Sequence, residues 1–101
     1  MLADLATQFE NASQSYAAEH GIVRDADWFL LKLQEEVGEL TQAFNRKTGR
    51  GRRKDLSDDR LALALAEETA DVLGHILLFA RFHGVDLGAA IERKWRFRPS
   101  I

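Results

Sequence analysis

The stretch Lys32-Leu33-Gln34-Glu35-Glu36-Val37-Gly38-Glu39-Leu40 decides how this chain reads, together with a looser echo at Glu67-Glu68-Thr69-Ala70-Asp71-Val72-Leu73. In each, two carboxylates lie three residues apart inside an otherwise apolar run of helical period. Glu36 and Glu39 therefore share one helix face, and Glu68 and Asp71 share another. Two carboxylates about 4 Å apart repel by about 1 kcal/mol in water and by about 4 kcal/mol at the effective dielectric of a protein surface. Acid stands here where a core stripe belongs. If the two helices pack face to face, four such groups meet and a positive charge has to sit among them. A divalent cation is the most economical candidate. Magnesium suits Glu-x-x-Glu with Glu-x-x-Asp, because it takes hard carboxylate oxygens and keeps waters that substrate phosphates displace. Either pair alone is ordinary decoration of a solvated helix; the coincidence of two, each beside core residues, is the signal. A di-iron centre calls for Glu-x-x-His, which is absent, as are His-Glu-x-x-His, Walker and Gly-x-Gly-x-x-Gly motifs.

Working outward, the helix carrying the first motif is expected from Asp25 or Asp27, its N-cap, to about Asn45. Its apolar stripe is Phe29, Leu33, Val37, Leu40 and Phe44. Gly38 in mid-helix costs roughly 1 kcal/mol against alanine, which implies a close packing contact or the approach of a ligand there. The second motif belongs to a helix capped by Ser57 and ending at His83-Gly84, with Leu61, Leu65, Val72, Ile76 and Phe79 inward. His75 lies one turn beyond Asp71, either tuning a carboxylate or simply packed in the helix interface. Upstream, Leu2, Leu5, Phe9, Ala12 and Tyr16 predict an amphipathic helix to about Glu19, stopped by Gly21, as packing and partner surface. Downstream, Asp86 caps a short helix through Lys94, and Pro99 closes the chain. Between the two acidic helices, Thr48 to Lys54 carries glycines and basic residues without period, a solvated loop with the character of a lid. No strand is expected, so the fold class is all-α.

With 101 residues, 30% charged and 46% hydrophobic, the chain reads as one folded domain over residues 1–101, small enough that oligomerisation often completes its core. The absence of cysteine removes disulfides, thiolate zinc sites and a cysteine nucleophile, and is compatible with the cytoplasm. No apolar run reaches the length of about 18 residues that a membrane span needs, and no signal peptide stands at the start. A formal net charge of -2 argues against a general nucleic-acid binder. The distribution of charge says more. Arg46, Lys47, Arg50, Arg52, Arg53 and Lys54 cluster in one segment, and Arg93, Lys94, Arg96 and Arg98 in another. Basic patches beside an acidic core suit a metal-bridged polyphosphate. Trp28, Phe29, Trp95 and Phe97 include possible base-stacking residues, with aromatic core the default.

These motifs resemble the MazG-like all-α nucleoside triphosphate pyrophosphohydrolases. The resemblance is carried by Lys32-Leu-Gln-Glu35-Glu36-Val-Gly-Glu39-Leu40, by Glu67-Glu68-Thr-Ala-Asp71-Val-Leu, and by Gly84-Val-Asp86-Leu87 leading to Ala90 and Lys94. It implies antiparallel helices forming a four-helix-bundle-like core completed by dimerisation, with magnesium (manganese as a substitute) held by Glu36, Glu39, Glu68 and Asp71. It also implies hydrolysis between the α and β phosphates of a nucleoside triphosphate, giving a monophosphate and pyrophosphate. Glu35, adjacent to the metal ligands but free of that duty, is the expected catalytic residue that orients or deprotonates water, while Lys32, Lys54 and Lys94 are the expected phosphate contacts. Where such proteins often carry an asparagine four residues after this lysine, the chain has Arg98. The narrower alternative within enzymes is a phosphoribosyl-ATP pyrophosphatase, which shares Lys-x-x-Glu-Glu-x-x-Glu and often a histidine like His75. The alternative outside enzymes is a helical dimer that binds metal, nucleotide or a partner protein without catalysis.

Overall fold

A computed structural model describes residues 1–101 as four helices and no strand: α1 (Leu2–His20), α2 (Ala26–Lys47), α3 (Asp58–Phe82) and α4 (Leu87–Trp95). The helix boundaries follow the capping chemistry. Gly21 takes the left-handed conformation after α1, with φ 65°. The Asp25 side chain accepts from the Trp28 N–H at 2.8 Å, Ser57 accepts from Arg60, and Asp86 accepts from Ala89.

Helices α2 and α3 form the principal packed pair. They run antiparallel: Phe29 near the start of α2 stacks on Phe82 at the end of α3 with ring centroids 4.4 Å apart, and further along Glu36 approaches His75. Helix α1 lies against α3, where Phe9 meets Gly74. A methyl group at Gly74 would stand 2.6 Å from Phe9 Cε1, so the bare glycine is what allows this contact. No packing contact occurs at Gly38, because nothing else in the chain lies within 4 Å of a Cβ built there; that glycine faces open space.

The loop between α2 and α3 is mostly exposed and carries the left-handed residues Gly49, Lys54 and Asp55. Arg53 fastens its far end, donating to Asp58 at 2.6 Å and to the Leu56 carbonyl at 3.1 Å.

The core is small. Only Ala17, Phe29, Ala43, Leu61, Leu77, Leu78 and Ala80 are buried apolar residues. The accessible surface is 7425 Å², whereas a compact monomer of 11.4 kDa exposes about 5,800 Å². The radius of gyration, 15.8 Å, likewise exceeds the roughly 13 Å of a compact chain of this length. Large apolar side chains are exposed in order along the helices. Leu30, Val37 and Phe44 recur every seventh residue on α2, each between 43% and 45% exposed. Leu63, Ala66, Ala70 and Leu73 are exposed at alternating spacings of three and four on α3.

Candidate functional site

Antiparallel packing of α2 on α3 brings the two acidic motifs together, as their spacing implied. Carboxylate oxygens of Glu36, Glu39 and Glu68 all lie within 4.8 Å of one another. Glu36 is buried, Glu68 half-buried and Glu39 exposed, so the cluster opens to solvent on one side. Glu36 Oε2 and Glu68 Oε2 are buried without any hydrogen-bond partner. Such orphaned acceptors are costly, and two of them beside a third carboxylate form a donor set that a hard cation satisfies.

The electrostatics agree with that reading. Desolvation, reinforced by Glu39 and Asp71 and opposed by Lys32, pushes the Glu36 carboxyl up to about 7. Burial also raises Glu68, with Glu39 and Asp71 adding to it. Asp71 is exposed and stands outside the tight trio, yet near enough to bear on both glutamates. Lys32 Nζ lies 3.6 Å from Glu36 Oε1 and 3.4 Å from Glu35 Oε1. Desolvation works to lower this ammonium, but Glu35 and then Glu36 and Glu39 outweigh it and raise its pKa. One lysine thus faces several carboxylates, and the site keeps a net negative charge. The Glu35 side chain is 57% exposed and is tied to Glu36 through their shared partner Lys32.

His75 Nε2 lies 3.9 Å from Glu36 Oε1, but burial, reinforced by Lys32, lowers the imidazole pKa, so the ring is neutral at pH 7 and this is no full ion pair. Its Nδ1 is a further buried atom without a partner.

Beside the carboxylates is a cavity of about 420 Å³. Helix α2 contributes Trp28, Lys32 and Glu36, one residue per turn, and α3 contributes Asp71, Gly74, His75 and Leu78. The third wall is a face of α1: Phe9, Ala12, Ser13 and Tyr16. The α2 and α3 walls therefore carry the charged residues, and the α1 wall carries aromatic ones. Helix α1 is held there by Arg24, which donates to Glu10 Oε2 at 2.7 Å, to Glu10 Oε1 at 3.0 Å and to Ser13 Oγ at 3.0 Å. The hydrogen bonds from Arg24 hold the Glu10 carboxyl below its ordinary range, and those to Glu10 raise the guanidinium.

Of the residues singled out in the sequence, Lys32, Glu35, Glu36, Glu39, Glu68 and Asp71 come together. Lys54 and Lys94 do not: no ion pair, hydrogen bond or cavity wall links them to the acids. Sequence reasoning missed the contribution of α1. Its Phe9, Ala12 and Tyr16 read as packing, and Ser13 carries no motif. The available signals were Gly74 in mid-helix and an acid at position 10 with a base at position 24, neither of which names its partner.

A family model described as the MazG nucleotide pyrophosphohydrolase domain matches residues 25–98. No curated protein and no solved structure gives a significant match.

Proposed function

The chain belongs to the MazG nucleotide pyrophosphohydrolase family, and from that premise we propose that it hydrolyses a nucleoside triphosphate between the α and β phosphates, with magnesium as cofactor and manganese as a substitute. The observation that carries the reading is the trio of Glu36, Glu39 and Glu68, with two orphaned buried oxygens, beside a cavity whose α1 wall carries aromatic residues. In this reading Glu36, Glu39 and Glu68 hold the cation and Asp71 completes the set. The bound cation supplies Lewis acidity toward the phosphates and charge to stabilise the leaving pyrophosphate.

The remaining work belongs to side chains. Glu35, exposed beside the ligands, orients the attacking water and takes its proton. Lys32, now shared between Glu35 and Glu36, turns to a phosphate oxygen once the carboxylates are neutralised. The nucleoside half occupies the cavity, its base against Trp28, Tyr16 and Phe9. Lys54 and Lys94, remote from the acids within one chain, contribute from a second copy or after the loop and α4 close. Self-association is supported by the surplus surface of about 1,700 Å² over a compact monomer and by the apolar stripes on α2 and α3, which together would make a four-helix bundle. The reaction would clear unwanted nucleotides from the cytoplasmic pool.

The test is to incubate the protein and magnesium with a panel of ordinary and modified nucleoside triphosphates and phosphoribosyl-ATP, assaying pyrophosphate and orthophosphate separately. Pyrophosphate with a monophosphate is expected. Orthophosphate alone refutes the cleavage site, turnover confined to phosphoribosyl-ATP selects the narrower enzyme, and magnesium-dependent stabilisation with no product selects a binding module.

A further inference from the structure

Ser13 carries the one hydroxyl among the cavity-lining residues whose oxygen is fixed by a charged neighbour. Arg24 donates to Ser13 Oγ at 3.0 Å while gripping Glu10 with both guanidinium arms, and the Arg24–Glu10 pair is nearly buried, at 14% and 13% side-chain exposure. Ser13 shares the α1 wall of the cavity with Phe9, Ala12 and Tyr16, across from Lys32, Glu36 and Asp71 on α2 and α3.

The hydroxyl has one lone pair committed to the guanidinium, and its hydrogen finds no acceptor in the chain; Thr7, Thr41, Thr48 and Thr69, by contrast, all return theirs to a backbone carbonyl. A cationic donor on the oxygen polarises the O–H, making it a stronger donor and a poorer second acceptor. We propose that Ser13 is a specificity-determining residue that donates to a hydrogen-bond acceptor on the edge of the bound base, so that bases presenting a carbonyl oxygen there are favoured over those presenting an amino group. This rests on the reading of the cavity as the nucleoside site. Glu10 and Arg24 act through Ser13 as positioning residues and touch no substrate.

The experiment compares kcat/KM for pyrophosphate release from UTP against CTP and from ITP against ATP, in the wild type, Ser13→Ala and Ser13→Thr. The wild type is expected to favour the carbonyl member of at least one pair by about tenfold, the worth of one buried hydrogen bond against an unpaired donor. Ser13→Ala should bring that ratio to within about twofold through a raised KM for the favoured member, with kcat little changed, and Ser13→Thr should restore it. A half-exposed helical serine tolerates alanine, and an unchanged melting temperature will verify that the fold is intact. A wild-type preference for the amino members, or a ratio that survives Ser13→Ala while both enzymes are active, overturns the role of Ser13 alone. Pyrophosphate release from no nucleotide overturns the functional reading and this assignment with it.

Discussion

Replacing Glu36 by glutamine should make the metal-free protein more stable. Burial and neighbouring acids raise this carboxyl from the ordinary 4.5 to about 7 in the fold, whereas the unfolded chain keeps the ordinary value. Between those limits the folded state binds the extra proton, so stability is fully present below pH 4.5 and is lost as pH rises toward about 7. The gap, at about 1.4 kcal/mol per pH unit, amounts to about 3 kcal/mol at pH 8, against a typical domain stability of about 5–15 kcal/mol. The amide removes the charge at every pH. Thermal melts followed by circular dichroism in EDTA should therefore show wild type and Glu36→Gln together near pH 4.5, with the variant melting on the order of 10–20 °C higher at pH 8. Millimolar magnesium should close the gap from the other side. A cation at 100 times its dissociation constant stabilises the wild type by about 2.7 kcal/mol, and the variant, short of a ligand, should gain much less. Parallel pH profiles in EDTA, or an equal magnesium shift in both proteins, would refute the idea that Glu36 is a buried acid held for a metal.

The Glu10–Arg24 pair behaves with the opposite sign. Because Arg24 lowers the Glu10 carboxyl, the contribution of the pair is present above the ordinary carboxylate range and disappears as pH falls through the folded value; Glu10→Gln should cost about 1–3 kcal/mol in urea melts at pH 7, and the difference should shrink as the pH is taken down through the acid range. Gly74→Ala puts a methyl 2.6 Å from Phe9 Cε1 and should destabilise by about 1–3 kcal/mol, with part of the loss recovered in a Phe9→Ala background; additivity of the two changes would exclude the contact. Leu63→Glu on the exposed stripe of α3 should convert a sedimenting oligomer to monomer and reduce turnover, whereas a wild type already monomeric at micromolar concentration would dispose of the bundle.

How far the molecule is legible in its sequence depends on the reach of the interaction involved. Helix ends were readable because capping is local: Asp25, Ser57, Asp86 and Gly21 act within three or four residues of themselves. The acidic cluster was readable because its two halves each repeat along one helix, and only the pairing of α2 with α3 had to be supplied. Asp71 marks the limit of that logic. It has the right spacing, but a three-residue step does not say which carboxylate leads into the tight trio and which stays at its edge. The Phe9–Gly74 and Glu10–Arg24 contacts were not readable, since the first joins residues 65 apart through the absence of a side chain. The second depends on the loop from Gly21 to Asp25 folding back along α1. For Gly38 the inference of a close neighbour was sound chemistry applied to one chain, and that chain leaves the position open.

The site and the thin core have a common cause. Glu36, Glu39 and Glu68 occupy positions on the facing surfaces of α2 and α3 that apolar side chains would otherwise fill, and Glu36 alone opposes folding by about 3 kcal/mol at neutral to alkaline pH. With those positions committed to acid, the pair cannot gather its stability along the seam between α2 and α3. Its leucines and valines are displaced to the outer faces, where Leu30, Val37, Phe44, Leu63 and Leu73 remain exposed. Each 100 Å² of apolar surface buried on those stripes would contribute about 2.5 kcal/mol before the cost of association, close to what Glu36 withdraws. A second copy laid on those stripes would thus offset the strain of the carboxylates and leave the metal, rather than the fold, to neutralise them.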